Sequence, residues 1–171
     1  MSARHPVRRF YGEAMQTQMS MLLHNQENLL KVLTDHKYSG RTVLGYKLPE
    51  WQRKEVWSEQ QCVRFIESVW LGVNLGTFMV NESSVCDVDV VLLDGQQRLT
   101  ALAKYWNGDF PITGEDGIEY SWSELQKEEQ AQFLRIPFPW VRSHYDTVEE
   151  LKEAYNRHNF GGTAHLESER A

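Results

Sequence analysis

The chain has 171 residues, 41 % of them hydrophobic and 12 % aromatic, enough to pack one domain core. Its 18 Lys and Arg against 24 Asp and Glu leave a net charge of −6, which argues against sequence-independent coating of DNA, since that needs an excess of basic side chains. No apolar run reaches the ~18 residues of a membrane span, and no signal-peptide core opens the chain, so a cytoplasmic protein is expected.

In chain order, residues 1–10 carry Arg4, His5, Arg8 and Arg9 and read as a mobile basic arm. From Tyr11 to about residue 37, Met15, Met19, Leu22, Leu23, Leu29, Leu30 and Leu33 form one stripe of a long amphipathic helix. That stripe suits packing on the domain core first, with a homodimer contact as the alternative, since methionine adapts to varied surfaces. Thr42 to Lys47 reads as a short strand, and Pro49 opens an extended segment. Ser58 and Gln61 have the spacing of a capping box, starting a helix that runs to about Leu71. Cys62 and Cys86 lie far apart with no C-x-x-C pair, so they read as buried reduced thiols.

Thr77 to Asn81 is a strand candidate. Asp87 to Leu93 alternates and then turns wholly apolar, as a strand does on entering a sheet interior. On that strand Asp87 and Asp89 would share a face, better suited to solvent than to a metal. A helix from Gln96 to Trp106 ends at Asn107-Gly108. Residues 110–112 and 118–120 resemble a hairpin. Ser123 and Gln126 open a charged helix to Leu134. Residues 136–141 are strand-like, with Pro137 and Pro139 confining them to an edge or an irregular path. Thr147 and Glu150 cap a last helix to about His158. Residues 166–171 form a frayed tail. Nothing marks a boundary within 11–165, so one domain is expected.

The junction Val90-Val91-Leu92-Leu93-Asp94-Gly95-Gln96-Gln97-Arg98-Leu99 passes from apolar strand to polar turn to apolar-faced helix. The first N–H groups of a helix lack internal partners and carry partial positive charge. A glycine before them admits a phosphate close to the backbone, and Arg98 adds a fork of donors. Gln96 and Gln97 supply amides, and Asp94 can hold a magnesium ion or take a proton from water. The residue types suit a nucleotide. Spacing alone leaves a plainer reading open: Asp94 capping the helix and Arg98 pairing with it. No Walker-type glycine loop is present.

Leu93-Asp94-Gly95-Gln96-Gln97-Arg98-Leu99-Thr100 resembles the DGQQR signature of the ParB/sulfiredoxin-like superfamily. Pro49-x-Trp51-Gln52-Arg53-x-x-x-Trp57-Ser58 is similar to that family's P-x-[YF]-Q-R-x-x-x-W segment. Tyr155-x-Arg157-x-Asn159-x-Gly161-Gly162-Thr163 is similar to its closing F-x-R-x-N-x-G-G-T segment. The order also matches, over about residues 40–165, and the nearest branch is the N-terminal domain of GmrSD-type modification-dependent restriction enzymes. This chain departs from the pattern at Trp51, Lys54 and Phe160.

The resemblance implies an α+β, ParB-like domain, a small mixed sheet flanked by helices, that binds a nucleoside triphosphate with Mg²⁺ and hydrolyses it slowly to gate DNA processing. Gln52, Arg53, Gly95, Gln96, Gln97, Arg98, Thr100, Asn159, Gly161 and Gly162 would bind the nucleotide. Asp94, Gln97 and Arg98 would be catalytic, with Asp94 also the metal ligand. Restriction relatives carry a nuclease region after this domain, whereas here eight residues follow Thr163, so a stand-alone domain is expected. The acid-acid-lysine pattern at Asp146, Glu150 and Lys152 falls on a helix rather than paired strands and reads as a solvated face. Two other classes remain open. One is an interaction protein of a phage or mobile element that binds a host defence or DNA-processing protein. The other is an endonuclease or a reader of modified DNA. Trp51, Trp122 and Trp140 sit in loops or irregular strands, where an aromatic can stack on a base, though for each a place in the core is the leading reading.

Overall fold

A computed structural model describes residues 10–160 of the chain. The strands are β1 (Gly12–Gln18), β2 (Arg41–Val43), β3 (Tyr46–Leu48), β4 (Phe78–Asn81), β5 (Val91–Asp94), β6 (Ile112–Thr113), β7 (Glu119–Tyr120) and β8 (Pro137–Ser143). The helices are α1 (Met19–Asp35), α2 (Glu59–Trp70), α3 (Gln96–Asn107), α4 (Lys127–Leu134) and α5 (Val148–Phe160). Six strands make a mixed sheet in the order β1-β8-β4-β5-β3-β2, and β6 and β7 pair separately. The fold is α+β.

The apolar run of β5 explains its place in the sheet. Leu92 belongs to the main core with side chains of α1, α2, α3 and α4, including Met19, Ile66, Leu99 and Phe133. Val91 and Leu93 point the other way, into a smaller cluster with Leu151 and Tyr155 of α5. Helices therefore cover β5 on both faces, so it carries no polar face. The expected hairpin is present: Ile112 pairs with Tyr120 and Thr113 with Glu119.

Several boundaries differ from the sequence reading. The predicted helix over residues 11–37 begins only at Met19. Residues 12–18 instead pair antiparallel with the whole of β8, from Gly12↔Ser143 to Gln18↔Pro137. Met15 and Thr17 are half-buried every second residue, a period-2 pattern that helical spacing concealed, and pairing with β8 overrides the local preference. α1 buries Met19, Leu22 and Leu33. The strand expected over 42–47 is two strands: Val43 pairs with Tyr46 around Leu44 and Gly45, both at positive φ, the geometry of a two-residue hairpin turn.

The strand expected from Asp87 starts only at Val91, because Cys86–Val88 is a 3-10 turn. Asp87 and Asp89 therefore share no strand face, and Asp89 accepts the Ser83 N–H at 3.0 Å. The predicted Ser123 cap is displaced: Ser121 with Glu124 and Gln126 with Glu129 form the two capping boxes before α4. β8 is internal in the sheet, yet β4 reaches only Trp140 to Ser143. Its two prolines lie where, among the described residues, β1 is the sole neighbour, which meets the constraint their missing donors impose. Cys62 is buried, and burial pushes its thiol up, whereas Cys86 is exposed, contrary to expectation.

One buried polar residue ties the sheet to its loops. Asn81, fully buried, donates to the carbonyls of Val88 and Tyr145 and accepts from the Tyr145 N–H and the Ser143 hydroxyl. Asn81→Ala leaves those partners unpaired in the interior and should cost about 2–4 kcal/mol. Urea unfolding measures the loss; a change within about 0.5 kcal/mol would show that the network contributes little.

Candidate functional site

The turn between β5 and α3 is built around Gly95, which adopts a left-handed conformation at φ +94°. A Cβ there would stand 2.5 Å from Cβ and 3.1 Å from Cα of Phe78, on the neighbouring strand β4. Glycine is thus required twice, by φ and by the close approach of two strands. No side chain caps α3, unlike α2, where Ser58 and Gln61 form the predicted capping box. The first bond of this helix runs from the Leu99 N–H to the Gly95 carbonyl. The N–H groups of Gln96, Gln97 and Arg98 precede it and have no partner within the helix.

Asp94 does not cap α3. Its Oδ2 accepts from Arg98 Nη2 at 2.8 Å, and Arg98 Nη1 donates to the Leu75 carbonyl at 2.8 Å. The pairing half of the plainer sequence reading is therefore present, and the capping half is absent. The pair leaves a cleft beside Arg98 rather than sealing it. About 210 Å³ in volume, this cleft is lined by Gln52, Arg53, Trp57, Asp94, Gly95, Gln96, Gln97, Arg98, Tyr155 and Asn159.

Those ten residues come from all three segments singled out in the sequence, and side-chain contacts join the segments pairwise. Trp51 meets Tyr155 edge-on with ring centroids 5.0 Å apart. Gln97 Oε1 accepts the N–H groups of Val56 and Trp57, each at 3.1 Å. His158 Nε2 lies 3.4 Å from Asp94 Oδ2. Gln52 and Gln96 are 5 % exposed each. Gln52 Oε1 and both polar atoms of the Gln96 amide have no hydrogen-bond partner in the structure. Buried amide groups cost about 1–3 kcal/mol when unpaired, so these two side chains are suited to meet a polar guest.

Some expected residues fall elsewhere. Thr100 is buried further along α3 and is not among the residues lining the cleft. Gly161 and Gly162 lie outside the described residues. Arg157 pairs with Glu153 at 2.9 Å. Trp122 packs edge-on with Tyr105 and Phe133, and Trp140 stacks on Phe78; both pack against the main core and neither lines the cleft. Trp57 and Tyr155 also line the cleft, and His158 lies beside it. All three fall within the quoted segments, and only the packing of the 49–57 segment and of α5 against the turn distinguishes them.

A larger, open hollow of about 590 Å³ lies at the other end of β4 and β5, lined by Glu82, Ser83, Ser84, Asp89, Val90, His144 and Asp146. Three carboxylates make it hostile to an anion, and Asp146 already accepts the Ser83 hydroxyl at 2.6 Å. Of the acid-acid-lysine pattern, Glu150 is engaged at the start of α5, accepting from Thr147. Among the described residues no group of three or more His, Cys, Asp or Glu side chains could hold a metal, and no helix is long and apolar enough to cross a membrane.

The GmrSD restriction endonuclease N-terminal domain model matches residues 29–168. The chain belongs to this family. The match spans the turn at Gly95, the strap of residues before α2 and the end of α5, so every described residue of the cleft lies within it. No curated protein and no solved structure matches the chain.

Gly95→Ala should destabilise the GmrSD-type domain by more than about 2 kcal/mol, combining the ~1–2 kcal/mol left-handed penalty with the clash against Phe78. Gly108→Ala, also left-handed but with open space around it, isolates the first part. Equal losses for the two variants in chemical denaturation would show that the Phe78 contact has no energetic weight.

Proposed function

We propose that the cleft binds the phosphate end of a Mg²⁺–nucleoside triphosphate and that this binding governs restriction-related processing of DNA, on a ParB-like scaffold. The observation that carries the reading is the convergence of uncapped helix N–H groups, two arginines and orphaned buried amides on one cleft. The N–H groups of Gln96, Gln97 and Arg98 meet phosphate oxygens, with the dipole of α3 behind them. Arg98, held rigid by Asp94 and the Leu75 carbonyl, contributes a fixed positive charge. Arg53 approaches from the opposite wall.

A cleft of about 210 Å³ is below the 300–1,000 Å³ common for whole small-molecule sites. It accommodates phosphates, and the nucleoside extends outward past Asn159. The amides of Gln52 and Gln96 supply uncharged donors and acceptors for phosphate or ribose oxygens. Among the described residues Asp94 is the only carboxylate lining the cleft. Asp94 would hold magnesium, a cation that proteins commonly bind through one or two carboxylates beside substrate phosphates. Held by Asp94, the metal would supply charge neutralisation at the phosphates, and the same carboxylate would orient a water for slow hydrolysis of the terminal phosphate.

A thermal-shift panel of the four triphosphates, each with and without magnesium, tests the reading. A ligand at ~100 times Kd adds about 2.7 kcal/mol, or roughly 5–10 °C for a domain of this size. Arg98→Ala should remove the shift. Because Arg98 also has structural partners, Arg53→Ala, on an exposed side chain, serves as the gentler variant and should weaken the shift. No stabilisation by any triphosphate would overturn the proposal.

A further inference from the structure

Residues 53–57 lie between the buried Gln52 and the cap residue Ser58, without regular secondary structure, and Arg53, Lys54, Glu55 and Val56 are exposed. Such a stretch keeps its shape only through its tethers. On the Gln52 side, Arg41 Nη2 donates to the carbonyls of Pro49 and Gln52 at 3.2 and 2.8 Å. On the Ser58 side, Gln97 Oε1 takes the N–H groups of Val56 and Trp57, and Gln97 Nε2 reaches the Lys54 carbonyl at 3.5 Å. Lys104 adds an exposed ion pair with Glu55 at 3.0 Å. Arg53 is suspended between these anchors and lines the cleft.

An amide oxygen has two lone pairs, and both on Gln97 are spent on the backbone of this strap. We infer that Gln97 is a positioning residue: its side chain takes no ligand but clamps residues 53–57 over the start of α3, so that Arg53 stays in the cleft. The two glutamines of the turn then divide the work. Gln96, buried with a free amide, faces the guest, and Gln97 holds the wall. Only the consequence for anion binding rests on the reading of the cleft given above; the clamp itself is independent of any ligand.

Trypsin and a binding cycle separate the possibilities. Without ligand, Gln97→Ala should speed cleavage after Arg53 and Lys54 by roughly tenfold or more, since the two hydrogen bonds from the strap's N–H groups to the Gln97 side chain are lost. Cleavage after Lys152, on α5, reports global opening and should be unchanged. Gln97→Glu keeps an acceptor oxygen for the two N–H groups and should restore the slow rate. With inorganic tripolyphosphate and magnesium, Gln97→Ala and Arg53→Ala should each weaken binding, and the double variant should be no weaker than Arg53→Ala alone. Unchanged cleavage in Gln97→Ala, or losses that multiply in the double variant, would overturn the clamp. Absence of tripolyphosphate binding in the unsubstituted chain would count against the anion site, and the cleavage rates would still decide the role of Gln97.

Discussion

The contact of Gly95 with Phe78 sets the geometry of the site. It allows the chain to leave β5 and enter α3 directly beside β4, with no side chain between turn and sheet. The left-handed turn leaves the N–H groups of Gln96, Gln97 and Arg98 free of side-chain caps. It also places Arg98 one helical turn from Asp94, near enough for a 2.8 Å ion pair. The pair is partly buried, with the arginine further fixed by the Leu75 carbonyl. Its value lies less in net stability, since such pairs offset much of their own desolvation, than in orientation. A guanidinium that cannot wander presents the same edge to every guest.

Around that turn the rest of the fold acts as a frame. β5 is apolar on both faces because α5 covers one of them, and covering it brings Tyr155, His158 and Asn159 to the end of the strand. The 49–57 segment is brought in from the β3 side by Trp51 against Tyr155 and by Gln97. Each wall comes from a different stretch of chain, and each is fixed by a contact to another wall. Residues that share a partner across two walls are expected to couple in mutant cycles.

Much of this was legible from the residues. The strand–Gly–helix passage at 90–99, the Ser58 box, the Gly108 stop and the Thr147 cap each follow from local chemistry, and the structure repeats them. Residues 12–18 were not legible, because methionines spaced for a helix gave no sign of β8 as a partner. Pro137 and Pro139 in turn concealed a strand lying inside the sheet, since nothing local tells that β4 stops short of them. At the site, Gln52, Arg53, Asn159 and the turn itself line one cleft. His158 was invisible because its role depends on the approach of α5 to Asp94. Thr100 lies inside the motif, yet it is buried and does not line the cleft.

The most direct measurement follows the backbone amides of the unsubstituted protein by ¹H–¹⁵N NMR while inorganic tripolyphosphate and magnesium are titrated in. If the uncapped start of α3 is the anion site, the largest saturable shifts fall on Gly95, Gln96, Gln97 and Arg98, followed by the Arg53 strap. Shifts confined to other parts of the surface, or none at those four amides at saturating anion, would contradict it.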